Sequence, residues 1–249
     1  MIVSRAAELS RLDDLLAALA SGEGGALVLH GEAGMGKTTL LEALAVRAGD
    51  AVTVVRAFGA ETEAELTFSA LADLLDPVLG ELAVLPKLQA AALMGALALG
   101  PPAPGDRLAV CVAALGVLRA AAQRRPVLVL VDDIQWVDAS SRECVEYVAR
   151  RAGGRLAVVL AARDPWQPSE RGRLPELRVG PVDDAGAAEL LRRRAPGLAP
   201  PVAAAITQAA AGNPLAPRPW ISRSRRGSGC TARSRAASAR WTRRPGRPC

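Results

Sequence analysis

The nine residues Gly31-Glu32-Ala33-Gly34-Met35-Gly36-Lys37-Thr38-Thr39 carry the most specific chemistry in this sequence. Glycines at this spacing let the backbone curl until successive N–H groups point at one anion. Lys37 follows at the place where an ammonium reaches β- and γ-phosphates. The Thr38 hydroxyl follows where it can ligate Mg²⁺. A helix that begins near Gly36 adds the positive end of its dipole. The pattern GxxxxGK[ST] needs an apolar strand before it and a helix after it. Both are present, as Ala26–His30 and Lys37–Ala48. The chemistry implied is binding of a nucleoside triphosphate with Mg²⁺.

Two further groups suit the same chemistry. Val127–Val131 is a run of Val and Leu that ends in Asp132 and Asp133. A carboxylate at the end of a buried strand can hold Mg²⁺ through water, the role expected of Asp132. Asp133 is then placed to polarise the attacking water. Arg163 closes a third apolar run, Leu156–Ala162, and suits contact with the γ-phosphate. The competing reading is a surface arginine paired with Asp164. His30, the single histidine, reads as a strand-end side chain. Trp136 reads as packing rather than base stacking.

The elements that must position these groups alternate. Strands are predicted at 26–30, 52–57, 127–131, 156–162 and 176–180. Helices are predicted at 6–20, 37–48, 66–79, 85–99, 107–124, 140–152, 183–194 and 201–211. The strands are apolar on both faces, which argues for a parallel sheet covered by helices on both sides. The expected fold is therefore α/β: a three-layer αβα sandwich with a five-stranded parallel sheet, plus the start of a small helical lid. The expected units are an α/β core at 1–181, a partial lid at 182–216 and an arginine-rich tail at 217–249.

Composition narrows the partners. The chain has 249 residues and a net charge of +6. From Leu215 to Cys249 there are ten Arg and no Asp or Glu. Setting those ten aside leaves 21 basic against 25 acidic residues, a net of −4. The question of nucleic acid therefore belongs to the tail alone. The tail has no recognition-helix pattern, so no recognisable motif supports DNA binding. It reads as a disordered basic segment or as a frame-shifted end. Cys111, Cys144, Cys230 and Cys249 are scattered without a CxxC pair, which suits reduced thiols in a cytoplasmic protein. The apolar run Ala90–Leu99 is too short to span a bilayer, so no membrane is expected.

Several blocks in order resemble the STAND-type AAA+ ATPases, among them the ATPase domains of large LuxR- and MalT-type regulators and origin-recognition-like domains. Val3-Ser4-Arg5-Ala6-Ala7-Glu8-Leu9 resembles the opening VGRExEL block, with Ser4 in place of Gly. Gly31–Thr39 resembles GEAGxGKT. Val131–Asp138 is similar to VDDxxWxD, Leu160–Arg163 to the strand of the sensor arginine, and Gly212-Asn213-Pro214-Leu215-Ala216 to GNPLAL.

The resemblance implies a nucleotide switch. ATP and ADP bind between core and lid, Arg5 lies near the adenine and Pro214 closes over it. Slow Mg-dependent hydrolysis and self-association in the ATP-bound state follow. The likeness stops at Ala216, so most of the lid and any output domain are expected to be missing. Two other readings stand beside it: a regulator that touches DNA through its basic tail, and a nonfunctional remnant.

Overall fold

The computed structural model describes residues 2–101, 107–166 and 174–215. The expected tail at 217–249 lies outside them. Helix α1 (Ala6–Ser21) comes first, then strand β1 (Ala26–Gly31) and helix α2 (Lys37–Ala48). Strand β2 (Thr53–Phe58), α3 (Ser69–Leu75), α4 (Lys87–Ala96) and α5 (Arg107–Arg124) follow. The chain continues through β3 (Val127–Asp132), α6 (Ala139–Ala149), β4 (Leu156–Arg163) and β5 (Glu176–Arg178). It closes with α7 (Asp184–Arg194) and α8 (Pro200–Ala210).

The five strands form one parallel sheet in the order β2-β3-β4-β1-β5. Neighbouring residues on a strand point to opposite faces, and the core divides accordingly. Val127, Val129 and Val131 join Val158 and Leu160 in a cluster with α3, α5 and α6. Leu128 and Leu130 join Ala157, Val159, Leu27 and Leu29 in a cluster with α1 and α2. Both faces are thus covered, which is why the central strands read as unbroken apolar runs rather than alternating ones.

Most predicted elements appear within a few residues of their expected limits. The predicted helix 66–79 differs. It is helical only from Ser69 to Leu75 and continues as a 3-10 segment, Asp76–Val84. Pro77 has no N–H to donate to the preceding turn, so the α ladder cannot run through it. The predicted strand 176–180 is shorter and ends at Arg178.

Two cysteines that are distant in sequence meet across α5 and α6. Cys111 and Cys144 are buried free thiols with Sγ atoms 2.8 Å apart. Among the described residues, no helix is long and apolar enough to cross a membrane.

Candidate functional site

The loop between β1 and α2 takes its shape from glycine. Gly34 and Gly36 hold φ of +84° and +95°, in the left-handed region that other residues enter only with strain. A Cβ on Gly34 would also lie 2.5 Å from Asn213 Oδ1, so this glycine allows close approach as well as curvature. Lys37 starts α2 at the end of the loop and is 7% exposed. Its Nζ donates to Gly31 O at 2.8 Å and Glu32 O at 2.9 Å, which folds the side chain back along the loop. Burial pushes the ammonium below its usual titration range, against the pull of Asp133 and Asp132.

Asp132 ends the fully buried strand β3 and is 5% exposed. Burial raises its carboxyl above the usual aspartate range, although the Thr38 hydroxyl hydrogen-bonds to it. The Asp133 N–H donates to Asp132 Oδ1 at 2.9 Å. Asp133 itself sits at φ 47°, a left-handed conformation that costs a non-glycine residue ~1 kcal/mol or more. That turn lifts its carboxylate away from the strand and toward the loop. Gln135 Nε2 then donates to Asp133 Oδ1 at 2.8 Å.

Parallel pairing of β1 with β4 sets Gly31 opposite Arg163. The register therefore delivers Arg163 beside the start of the loop. Its N–H donates to Gln135 Oε1 at 3.0 Å, and its side chain lines the loop cavity. Asp164 turns instead to His30, with Oδ1 2.9 Å from Nδ1, and that contact lowers the Asp164 titration.

These groups surround one open cavity of about 520 Å³. Ala33, Gly34, Gly36, Lys37, Thr38 and Thr39 form one wall. Asp133, Gln135, Trp136 and Arg163 form another, Arg194 arrives from α7, and Pro214 and Leu215 from the segment after α8. Asn213 Nδ2 donates to Ala33 O at 3.0 Å, which rests the segment after α8 on the loop. Arg194 Nη1 donates to Pro214 O.

Three participants carry no role in the sequence reading. Gln135 lies inside a recognised block, but nothing local says that its amide spans two strands' ends. Arg194 reaches the cavity, and Asn213 the Ala33 carbonyl of the loop, only through the packing of the last two helices.

Arg5 does not line this cavity. It is 6% exposed, and its guanidinium is engaged by Met35 O, Gly180 O and Glu8. It touches the loop through the Met35 carbonyl.

The pairing of Thr38 and Asp132 suits a hard divalent cation. A hydroxyl and a buried, poorly stabilised carboxylate are the oxygen donors that Mg²⁺ takes together with phosphate oxygens. Among the described residues, no group of three His, Cys, Asp or Glu could hold a metal unaided.

Residues 2–160 match the AAA ATPase domain family. No curated protein matches the sequence significantly. Among solved structures, Drosophila ORC bound to DNA aligns at 16% identity and TM-score 0.57, covering 87% of this chain and 53% of that one. Cdc6p from Pyrobaculum aerophilum aligns at 18% identity and TM-score 0.53, covering 76% and 48%. A STAND protein with a tetratricopeptide repeat sensor from Pyrococcus horikoshii aligns at 15% identity and TM-score 0.49, covering 82% and 28%. This chain spans about half or less of the length of these structures.

Proposed function

The chain belongs to the AAA ATPase domain family, and from that premise we propose that it is a Mg-dependent ATP-binding domain that hydrolyses ATP slowly and works as a nucleotide switch. The observation that carries this is the convergence of Lys37, Thr38, Asp133, Arg163 and Arg194 on one cavity, with Asp132 buried beside Thr38. Each group faces the charge it needs. Lys37 and the loop amides meet phosphate oxygens. Thr38 and Asp132 would hold the cation, and Mg²⁺ when bound would supply charge neutralisation on the phosphates.

Asp133 serves as the base. Its carboxylate accepts a proton from water, and Gln135 fixes the direction in which it points. Arg163 places its positive charge where the γ-phosphate ends, and Arg194 adds a second from the helix side. Positioning and charge are most of what phosphoryl transfer asks of a protein. The switch reading rests on Arg194, Asn213 and Pro214: the segment after α8 rests on the same loop that holds the phosphates, and Arg194 of α7 lines the cavity and bonds that segment, so the α7–α8 pair serves as a lid.

The test is calorimetric titration of the full chain with ATP and ADP, with and without Mg²⁺, alongside phosphate release. Saturable Mg-dependent binding that weakens about 10- to 150-fold in Lys37→Ala is expected. Wild-type protein with no affinity for ATP would overturn the proposal.

A further inference from the structure

Arg5 is a buried guanidinium outside the cavity, and its partners lie in separate parts of the molecule. Nη2 donates to Met35 O at 2.9 Å, in the phosphate loop. It also donates to Gly180 O at 2.6 Å, in the connection from β5 to α7. Nη1 donates to Glu8 Oε1 at 2.6 Å, which anchors the side chain to α1. Glu8 balances the charge, but burying the pair still costs desolvation, so packing alone is a poor reason to keep it. A planar fork that reaches two carbonyls in fixed directions is what a guanidinium supplies and an ammonium does not.

The residue before it reaches further along the same path. Ser4 Oγ donates to Asp183 Oδ1 at 2.7 Å. That same oxygen accepts from Gly186 N at 2.7 Å and caps α7. Ser4 adopts φ 53°, strained for serine. A Cβ on Gly186 would lie 2.3 Å from Ser4 Oγ, so glycine there admits the hydroxyl. The far end of α7 carries Arg194 into the cavity. Phosphate loop, β5–α7 connection and first turn of α7 are therefore joined through two consecutive side chains that do not line the cavity themselves.

We propose that Ser4 and Arg5 form a coupling latch, a pair of positioning residues through which occupancy of the phosphate loop is passed to the α7–α8 helices. This rests on the nucleotide-switch reading and adds how the switch is transmitted. A shift in the path of Met35 on phosphate binding moves Arg5, and Arg5 moves Gly180. Ser4 carries the same displacement to Asp183.

The experiment uses the full chain as wild type, Ser4→Ala, Arg5→Lys and Arg5→Ala. It measures affinity for a fluorescent ATP analogue, and amide hydrogen exchange across 37–48, 184–194 and 200–210 with and without Mg-ATP. In the wild type, Mg-ATP should slow exchange in all three helices. In Ser4→Ala and Arg5→Lys the affinity should stay within about tenfold, and α2 should still be protected. The protection of α7 should fall about fivefold or more, the scale of a coupling between sites.

A purely structural role predicts something else: thermal stability and affinity drop together while ATP-induced protection of α7 survives. That result overturns the latch. Should the Arg5 variants fail to fold, Ser4→Ala decides, since it removes one exposed hydroxyl. Wild-type protection of α7 in that variant overturns the proposal. A wild type that binds ATP without protecting α7 overturns the latch and leaves nucleotide binding standing. A wild type that binds no ATP overturns both.

Discussion

Gln135 Nε2 donates to Asp133 Oδ1 at 2.8 Å while its Oε1 accepts the Arg163 N–H at 3.0 Å. One side-chain amide thus ties the strained carboxylate at the end of β3 to the end of β4. Both orientations of the amide are fixed, because one end must donate and the other accept.

Gln135→Ala should therefore leave ATP binding intact and slow hydrolysis by about tenfold, the cost of about 1.4 kcal/mol in the barrier. Single-turnover phosphate release read beside equilibrium binding checks this. Equal losses in both would assign Gln135 to the fold rather than to the orientation of Asp133.

Asp133→Asn should lower the hydrolysis rate by about 10²- to 10⁴-fold, the usual contribution of a general base, with ATP affinity little changed. The amide keeps the shape and the contact to Gln135 but cannot take a proton. Unaltered turnover in this variant would remove Asp133 from the chemistry.

Lys37→Ala should weaken ATP binding about 10- to 150-fold, the range for losing a charged hydrogen bond of about 1.5–3 kcal/mol. Without phosphate, Lys37 is buried on the loop carbonyls and its charged form is disfavoured. Titration of the variant with ATP, compared with the wild type, gives the ratio.

Asp132 should make metal-free stability depend on pH. Its folded titration is raised by burial, so the folded state holds the proton more tightly than the unfolded chain. Below the ordinary aspartate value of about 3.9 both states are protonated and the group favours neither. As pH rises past that value the unfolded state ionises first. Stability is then lost until the folded carboxyl ionises too. Metal-free Asp132→Asn should melt at or above the wild type at pH 7, with the difference shrinking below about pH 4. It should lose the Mg-dependent part of the stabilisation by nucleotide. A lower Tm than wild type at pH 7 would contradict the assignment of a carboxylate whose burial outweighs its hydrogen bonds.

Leu118→Ala should destabilise the chain by about 2–5 kcal/mol, since Leu118 is fully buried in the α5 face of the sheet and small aliphatic neighbours collapse poorly into the space. Denaturant unfolding measures it. ATP affinity of the folded fraction should not change, because α5 contributes no residue to the cavity.

Burial shifts the titration of both Asp132 and Lys37, and each residue is legible in the linear text. Spacing alone identifies the loop, since Gly34, Gly36, Lys37 and Thr38 act within one turn of chain and their chemistry is local. The apolar runs likewise announce β1, β3 and β4, because a strand buried on both faces leaves no polar alternation to confuse. Tertiary structure decided the remainder. The order β2-β3-β4-β1-β5 sets Arg163 opposite Gly31, and no periodicity specifies strand order. Gln135 bridges two strand ends, Cys111 meets Cys144, and Arg194 and Asn213 reach the loop only once α7 and α8 have packed. Arg5 shows the difference most directly. Its block marks it as part of the nucleotide machinery, but its hydrogen bonds go to Met35 O and Gly180 O. Backbone carbonyls carry no side-chain signature, so only the folded chain could say which of them a guanidinium would find.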